Sequence, residues 1–284
     1  MNTYKDVETL VPPGTDLDKI VDGLDLFDDD LMTLVFTDNI PAVELVLSII
    51  LERNIKVTSV ETQEEFRNHK INGRDITLDV HAIDTDGSEM DIEVQSNSKG
   101  AHVRRARFHS AAIDSRMLKE GKSFKSLQDS YVIFIYRYDK FSAGLPLYRI
   151  ERKVLDTNEN FNDGSHIVYV NGKYKGHDKI GKLIEDFHAK SSAEMHFAEL
   201  ASGIRHFKET KKGRGIMCEK VQRYAKRYAK KYAEQYALDC KIQDIINLME
   251  NEKWTIERAL SALGVKGKDR EYIIKKLQEV IALT

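Results

Sequence analysis

Cysteine is nearly absent from this 284-residue chain, occurring twice, at Cys218 and Cys240. Two isolated thiols exclude a disulfide scaffold and a zinc site of paired cysteines, and they suit a reduced, cytoplasmic setting. Proline occurs four times and tryptophan once, so few segments are barred from regular structure. No apolar run approaches the roughly 20 residues that a membrane span requires. The amino terminus is acidic and lacks the apolar core of a signal peptide. Nine histidines are present, but none falls into an HExxH-like ligand spacing. These absences leave a chain without a membrane span, 41% hydrophobic and 32% charged, long enough for one good core and an accessory segment.

The formal net charge of −2 argues against a uniformly basic nucleic-acid binder, yet the charge is segregated. Residues 1–40 hold ten acidic residues against two lysines, a local −8, and residues 205–231 hold eleven basic residues against two glutamates, a local +9. A basic block of that kind is a candidate contact for backbone phosphates.

Residues 76–95, ITLDVHAIDTDGSEMDIEVQ, carry the chemistry. Ile76, Leu78, Val80 and Ala82 alternate with Thr77, Asp79, His81 and Ile83; Met90, Ile92 and Val94 alternate with Asp91, Glu93 and Gln95. A period of two predicts two strands, each with one buried face. A three-residue loop, Thr85-Asp86-Gly87 with Gly87 left-handed, pairs residue 84 with 88 and therefore Asp79 with Glu93. Like charges facing each other about 5 Å apart destabilise a sheet, so a proton or a hard cation between them is expected. Mg²⁺ suits one or two carboxylates and keeps waters for substrate phosphates. A solvated polar face is the alternative reading.

The flanks add an order. Asn39–Glu52 reads as an apolar helix with Pro41 in its first turn, Lys56–Thr62 as a strand, Ala101–Lys119 as a helix, and Tyr131–Tyr136 (YVIFIY) as a strand covered on both faces. The expected class is therefore α/β.

This αβββαβ order with D…ExK at the hairpin resembles the restriction-endonuclease-like core of the PD-(D/E)XK nuclease superfamily. Within it the chain is similar to the Rpn-like recombination-promoting nucleases, also called PD-(D/E)XK family transposases. The matching stretches are Asp28–Pro41, Arg74–Gln95, Arg104–Ser110, Gly144–Arg152 and Phe161–Asn171, within roughly residues 25–210. One departure stands out: the ExK lysine is Gln95 here, as is usual in the Rpn-like branch.

The resemblance implies a metal-dependent DNA endonuclease using Mg²⁺ or Mn²⁺. Asp79 and Glu93 are the expected metal ligands, with the carbonyl of Val94 as a third oxygen. Gln95 shares the strand parity of Glu93; its amide can orient a water but cannot supply a lysine's charge. Arg104, Arg105 or Arg107 on the following helix can supply it, because guanidinium binds phosphate in bidentate fashion. Glu44 is a candidate for the additional acid that many members place near the metal, though an exposed glutamate on an amphipathic helix is ordinary. His81 shares the polar face of Asp79. Arg105, His109 and Arg116 form a candidate phosphate-facing stripe.

Three regions are expected: an acidic leader at 1–25, loose or partly ordered; a nuclease-like domain at 26–210; and a helical extension at 214–284, with the boundary at Lys211-Lys212-Gly213-Arg214-Gly215. In the extension Tyr224, Tyr228, Tyr232 and Tyr236 recur every four residues beside alanines. They predict a packing seam, with a homo-oligomer as one outcome, while Lys226, Arg227, Lys230 and Lys231 face water or DNA. Thr255 is expected to cap a helix over Ile256–Leu263, Gly264 to end it, and Asp269 to start another; an interaction module is favoured over a DNA-reading helix-turn-helix. Two other functions stay open: an inactive nuclease fold serving as a DNA- or protein-binding module, which Gln95 favours, and a toxin or phage-defence effector using the same chemistry.

Overall fold

The computed structural model describes residues 17–67, 73–97 and 100–281. The chain forms two compact units, Asp16–Lys220 and a helical unit from Val221 onward.

In the first unit, α1 (Leu17–Gly23) and α2 (Asp29–Phe36) precede α3 (Ile40–Leu51). Asn39 starts α3: its side chain accepts from the Ala42 N–H at 3.3 Å, and Pro41 occupies the first turn. Val43, Val46, Leu47 and Ile50 are fully buried along α3, which ends at Glu52 in a left-handed conformation (φ 54°).

A six-stranded sheet follows, in the order β1-β2-β3-β4-β8-β5: β1 (Val57–Phe66), β2 (Ile76–Asp84), β3 (Glu89–Gln95), β4 (Ser130–Tyr136), β5 (Leu147–Ile150) and β8 (Ser165–Asn171). The first three strands are antiparallel, β3, β4 and β8 run parallel, and β5 closes the far edge antiparallel to β8. Two short strands, β6 (Lys153–Val154) and β7 (Glu159–Asn160), form a separate hairpin. Helix α4 (Val103–Met117) connects β3 to β4 and packs on one face, where Ala106 and Ile113 meet Val132, Phe134 and Tyr169. On β4 the alternate residues Ile133 and Ile135 are equally buried. Helix α3 packs on β1, and α2, α5 (Lys179–His188) and α6 (Ala198–Ile204) pack on α3 and one another. The αβββαβ core is thus present, and the fold is of the restriction-endonuclease-like α/β class.

The end of the acidic leader is built into this unit. Residues 1–16 lie outside the described residues, but Leu17–Gly23 is helical. Asp25 is 1% exposed, gripped by Arg137 at 2.6 Å and Lys190 at 2.7 Å. Lys208 is 3% exposed, and its Nζ donates to the carbonyls of Asp22, Leu24 and Lys190. Two glycines do not make the expected boundary either. Helix α7 (Lys211–Asn251) runs through both, and a Cβ on Gly213 would lie 2.0 Å from the His206 carbonyl. Close approach of backbone explains that glycine, not a break.

In the helical unit, α8 (Ile256–Ala262) and α9 (Gly267–Ile281) close a small core of Ile245, Leu260, Val265, Ile273 and Leu277. Thr255 caps α8 as expected, accepting from the Arg258 N–H. Gly264 (φ 64°) follows α8, and α9 starts at Gly267, two residues before Asp269. Along α7 the side chains of Tyr224, Arg227, Tyr228, Lys231 and Tyr232 lie outside the described residues. Tyr236 is 63% exposed, with Ala233, Ala237, Lys226 and Lys230 also exposed. Among the described residues no single helix is long and apolar enough to cross a membrane; α2 and α3 pass jointly on composition but are bent by 107° and largely buried.

Candidate active site

The β2–β3 hairpin has the expected register. Asp84 N–H bonds the Ser88 carbonyl, Gly87 takes φ 81°, and the Asp84 carboxylate accepts from the N–H groups of Asp86 and Ser88. The pairs Val80–Ile92, His81–Asp91, Ala82–Met90 and Ile83–Glu89 follow. Past Val80 and Ile92 the ladder gives way to side chains. The Asp79 N–H donates to Glu93 Oε1 at 3.2 Å, and the Val94 N–H donates to Asp79 Oδ2 at 3.0 Å. Each carboxylate thus reaches across to the other strand, and the two expected ligands are brought together.

The strict alternation expected for β2 fails at this point. Gln63 of β1, between the pairs Thr62–Val80 and Glu64–Leu78, takes φ 54°. Ile76 and Leu78 consequently pack on the α4 side, with Ala106, Ile113 and Phe134. The Gln63 amide donates to Asp79 Oδ1 at 3.5 Å, Asp29 Oδ1 at 3.4 Å and Thr33 Oγ1 at 3.3 Å. Asp29, at the start of α2, is therefore the further acid near Asp79. Glu44 is not: its carboxylate accepts from Val57 N–H at 2.9 Å and Lys56 Nζ at 3.0 Å. It pins α3 to the start of β1, far along the strand from Gln63, and the Lys56 and Val57 donors hold its pKa down.

On the α4 side, Asp91 and Glu93 are fully buried and His109 is 2% exposed. His109 Nδ1 donates to Asp91 Oδ2 at 2.8 Å, with Glu93 Oε1 3.5 Å away, and its Nε2 accepts from Arg105 Nε at 3.3 Å. Arg105 Nη2 donates to Glu93 Oε2. Of the expected stripe, His109 is turned inward, whereas Arg105 reaches Glu93 while its side chain, 35% exposed, borders the open cleft. Arg116 lies 3.6 Å from Glu64, with its guanidinium 3.9 Å above the Phe66 ring. His81, the cross-strand partner of Asp91, spends its ring nitrogens on other acids, bridging Glu64 Oε2 at 2.6 Å and Glu89 Oε2 at 2.9 Å.

Electrostatics single out this cluster. Burial, reinforced by Asp29, pushes the Asp79 carboxyl up to about 6. Burial and the neighbouring Asp91 and Asp79 carboxylates raise Glu93 well above the ordinary range, and burial and Asp79 do the same to Asp91. Burial lowers His109. Asp79, Asp91 and Glu93 thus crowd one site, where Arg105 reaches Glu93, and ionising them together is unfavourable. A hard divalent ion fits that donor set. Asp91, Glu93 and His109 offer ligand atoms within 4.8 Å of one another, and Asp91 Oδ1, though buried, has no hydrogen-bond partner. His109 Nδ1, however, is turned to two carboxylates while Nε2 accepts, so Nδ1 carries the proton and has no lone pair to give. Asp79 and Glu93 are the better pair, because Asp79 lines an open cleft.

That cleft, about 690 Å³, is bordered by Arg74, Asp79, His102, Arg104, Arg105 and Phe108. Arg104 is exposed in it; Arg107 is exposed but not among its lining residues. Gln95 extends toward it, with Oε1 1.9 Å from where a Cβ on Gly100 would lie. Sequence reasoning missed Asp91, Asp29 and Gln63. Asp91 was detectable, since it shares the strand parity of Glu93; the other two depend on the kink at Gln63.

The family model described as PD-(D/E)XK nuclease family transposase matches residues 39–180, from the cap of α3 into α5. Comparisons with curated proteins and with solved structures return no match. The matched span holds the hairpin, its acids, Gln95 and all of α4. The chain belongs to the PD-(D/E)XK nuclease family transposases.

Proposed function

We propose that the protein is a metal-dependent DNA endonuclease that hydrolyses phosphodiester bonds in recombination- or transposition-associated DNA. The observation that carries this is the crowding of the buried Asp91 and Glu93 with the half-buried Asp79, opening through Asp79 onto a cleft with three arginines. Asp79 and Glu93 would hold Mg²⁺ or Mn²⁺, with the Val94 carbonyl as third oxygen. Bound there, the ion polarises the scissile phosphate and lowers the pKa of a water. Arg74 and Arg104 line the cleft where backbone phosphates would lie, and bidentate guanidinium contacts fix their orientation. Separately, the exposed Lys226 and Lys230 of the helical unit are candidate contacts for backbone phosphates.

A plasmid-nicking assay with Mg²⁺, Mn²⁺ and Ca²⁺ tests the assignment. Asp79→Asn and Glu93→Gln should each lower nicking by roughly 100-fold or more, the scale seen when a charge-stabilising group is removed. Equal nicking by both variants and wild type rejects the assignment. One observation favours a second reading, an inactive nuclease fold that binds DNA or a protein: Glu93 is already ion-paired to Arg105, and the lysine position is Gln95. Calorimetry separates the two, because the enzyme binds Mn²⁺ at one or two sites and loses that binding in Asp79→Asn.

A further inference from the structure

Resting on the nuclease reading, we infer that Arg105 is the cation that stands in for the missing ExK lysine, and that the buried Asp91–His109 pair aims it. Among the three arginines that open α4, Arg105 is the one joined to an acid of the site. Its Nη2 donates to Glu93 and its Nε to His109 Nε2, and its Cζ lies 5.9 Å from the centre of the Phe134 ring. Three contacts on one guanidinium fix its plane. Arg104 is exposed with no partner among these acids, and Arg107 does not line the cleft.

The orientation passes through His109. Asp91 is sealed in the core and takes the Nδ1 proton, which forces Nε2 to be the acceptor. An accepting Nε2 holds Arg105 Nε. Nη2 rests on Glu93, and Nη1, which has no hydrogen-bond partner among the described residues, is left for the cleft that Arg105 borders. A phosphate oxygen presented there meets a positive charge next to Asp79, where an ExK lysine would have put one. His109 and Asp91 are positioning residues, acting through Arg105. Gln95 Oε1 lies against Gly100, which lines the cleft, so a lysine at position 95 has a route to the same phosphate.

Relocation of the charge gives the test. Single-turnover cleavage with Mn²⁺ is compared for wild type, Arg105→Gln, Arg105→Lys and the double variant Arg105→Gln/Gln95→Lys. DNA affinity is read with Ca²⁺, and Mn²⁺ binding without DNA by calorimetry. Arg105→Gln should cleave about 100-fold more slowly, since one transition-state donor is lost, while DNA affinity stays within about threefold. Adding Gln95→Lys should restore at least about tenfold of that rate. Mn²⁺ binding should be kept or tightened in Arg105→Gln, because a competing cation leaves Glu93. If Arg105→Gln melts early, Arg105→Lys carries the comparison, and it should keep more activity than any neutral replacement. Cleavage by Arg105→Gln within threefold of wild type, a double variant no faster than the single, or loss of Mn²⁺ binding overturns the inference while leaving the nuclease reading intact. Wild type inert with every ion rejects both.

Discussion

Replacing Asp79 with asparagine should stabilise the metal-free protein at pH 8. Burial and the nearby Asp29 lift this carboxyl from 3.8 to about 6. A carboxyl held above its ordinary value favours the folded state only while protonated. Its contribution is complete below pH 3.8 and is lost as pH rises through about 6. At pH 8 the ionised group therefore costs about 3 kcal/mol. Asparagine keeps an Oδ acceptor for the Val94 N–H and removes the charge. For a unit of this size each kcal/mol shifts Tm by about 2–4 °C, so the variant should melt roughly 6–12 °C higher in EDTA at pH 8. The gap should close toward pH 4, where wild type is protonated too. Glu93 and Asp91 are raised from the same cause and with the same sign, but both variants share them. Saturating Mg²⁺ should raise the wild-type Tm and leave the variant unmoved. An Asp79→Asn protein that melts at or below wild type at pH 8, or a gap independent of pH, would refute the electrostatic reasoning.

Nicking by wild type should fall as pH drops through about 6, where Asp79 takes a proton and stops competing for the ion, and a rate flat from pH 5 to 8 would contradict that. Lys208→Met should destabilise the Asp16–Lys220 unit by about 3 kcal/mol in urea, since three carbonyls lose their buried donor. Gly172→Ala should cost about 2 kcal/mol or more, because its Cβ would lie 2.5 Å from the Tyr136 carbonyl; Gly23→Ala, with open space around it, is the matched control. Lys226→Gln/Lys230→Gln should reduce the slope of log DNA affinity against log salt by about 2; an unchanged slope would remove α7 from the DNA interface.

Much of the hairpin was legible because it is local. Gly87 and the acids around it set the loop, the loop set the register as far as Val80–Ile92, and just beyond it side chain–backbone bonds bring Asp79 and Glu93 together. The continuous apolar run of β4 marked a strand buried on both faces. What failed was long-range. Glu44 fits the pattern of a helix-borne acid, but which strand end it meets depends on how α3 is seated, and that end is Lys56–Val57. The kink at Gln63 has no turn residue to announce it, yet it swings Leu78 to the α4 face and brings Asp29 to Asp79. His109 follows Arg105 by four residues, a spacing that defines a stripe but does not say whether the stripe faces water or the sheet. The glycines of 211–215 read as a break because glycine usually breaks helices, whereas Gly213 is there to clear the His206 carbonyl.

The way this fold treats its other buried carboxylates is the strongest argument that the Asp79 cluster has a purpose beyond architecture. Asp25 is neutralised by two cations, Arg137 and Lys190. Asp186, fully buried, accepts the N–H groups of His196 at 2.6 Å and Phe197 at 3.0 Å. Asp84 ties its own turn through two N–H groups. Each of these acids is supplied with cations or N–H donors, as buried charge requires. Asp91 and Glu93 are instead set beside each other and near Asp79, share one guanidinium, and leave Asp91 Oδ1 without a donor. Apolar side chains of similar volume would hold the same core at lower cost, since replacing buried charges in this way is often neutral or stabilising. A sequence that keeps the carboxyls together at the edge of an arginine-lined cleft is carrying a destabilising arrangement that a bound cation would relieve. A ligand that binds the folded state alone returns that stability by mass action.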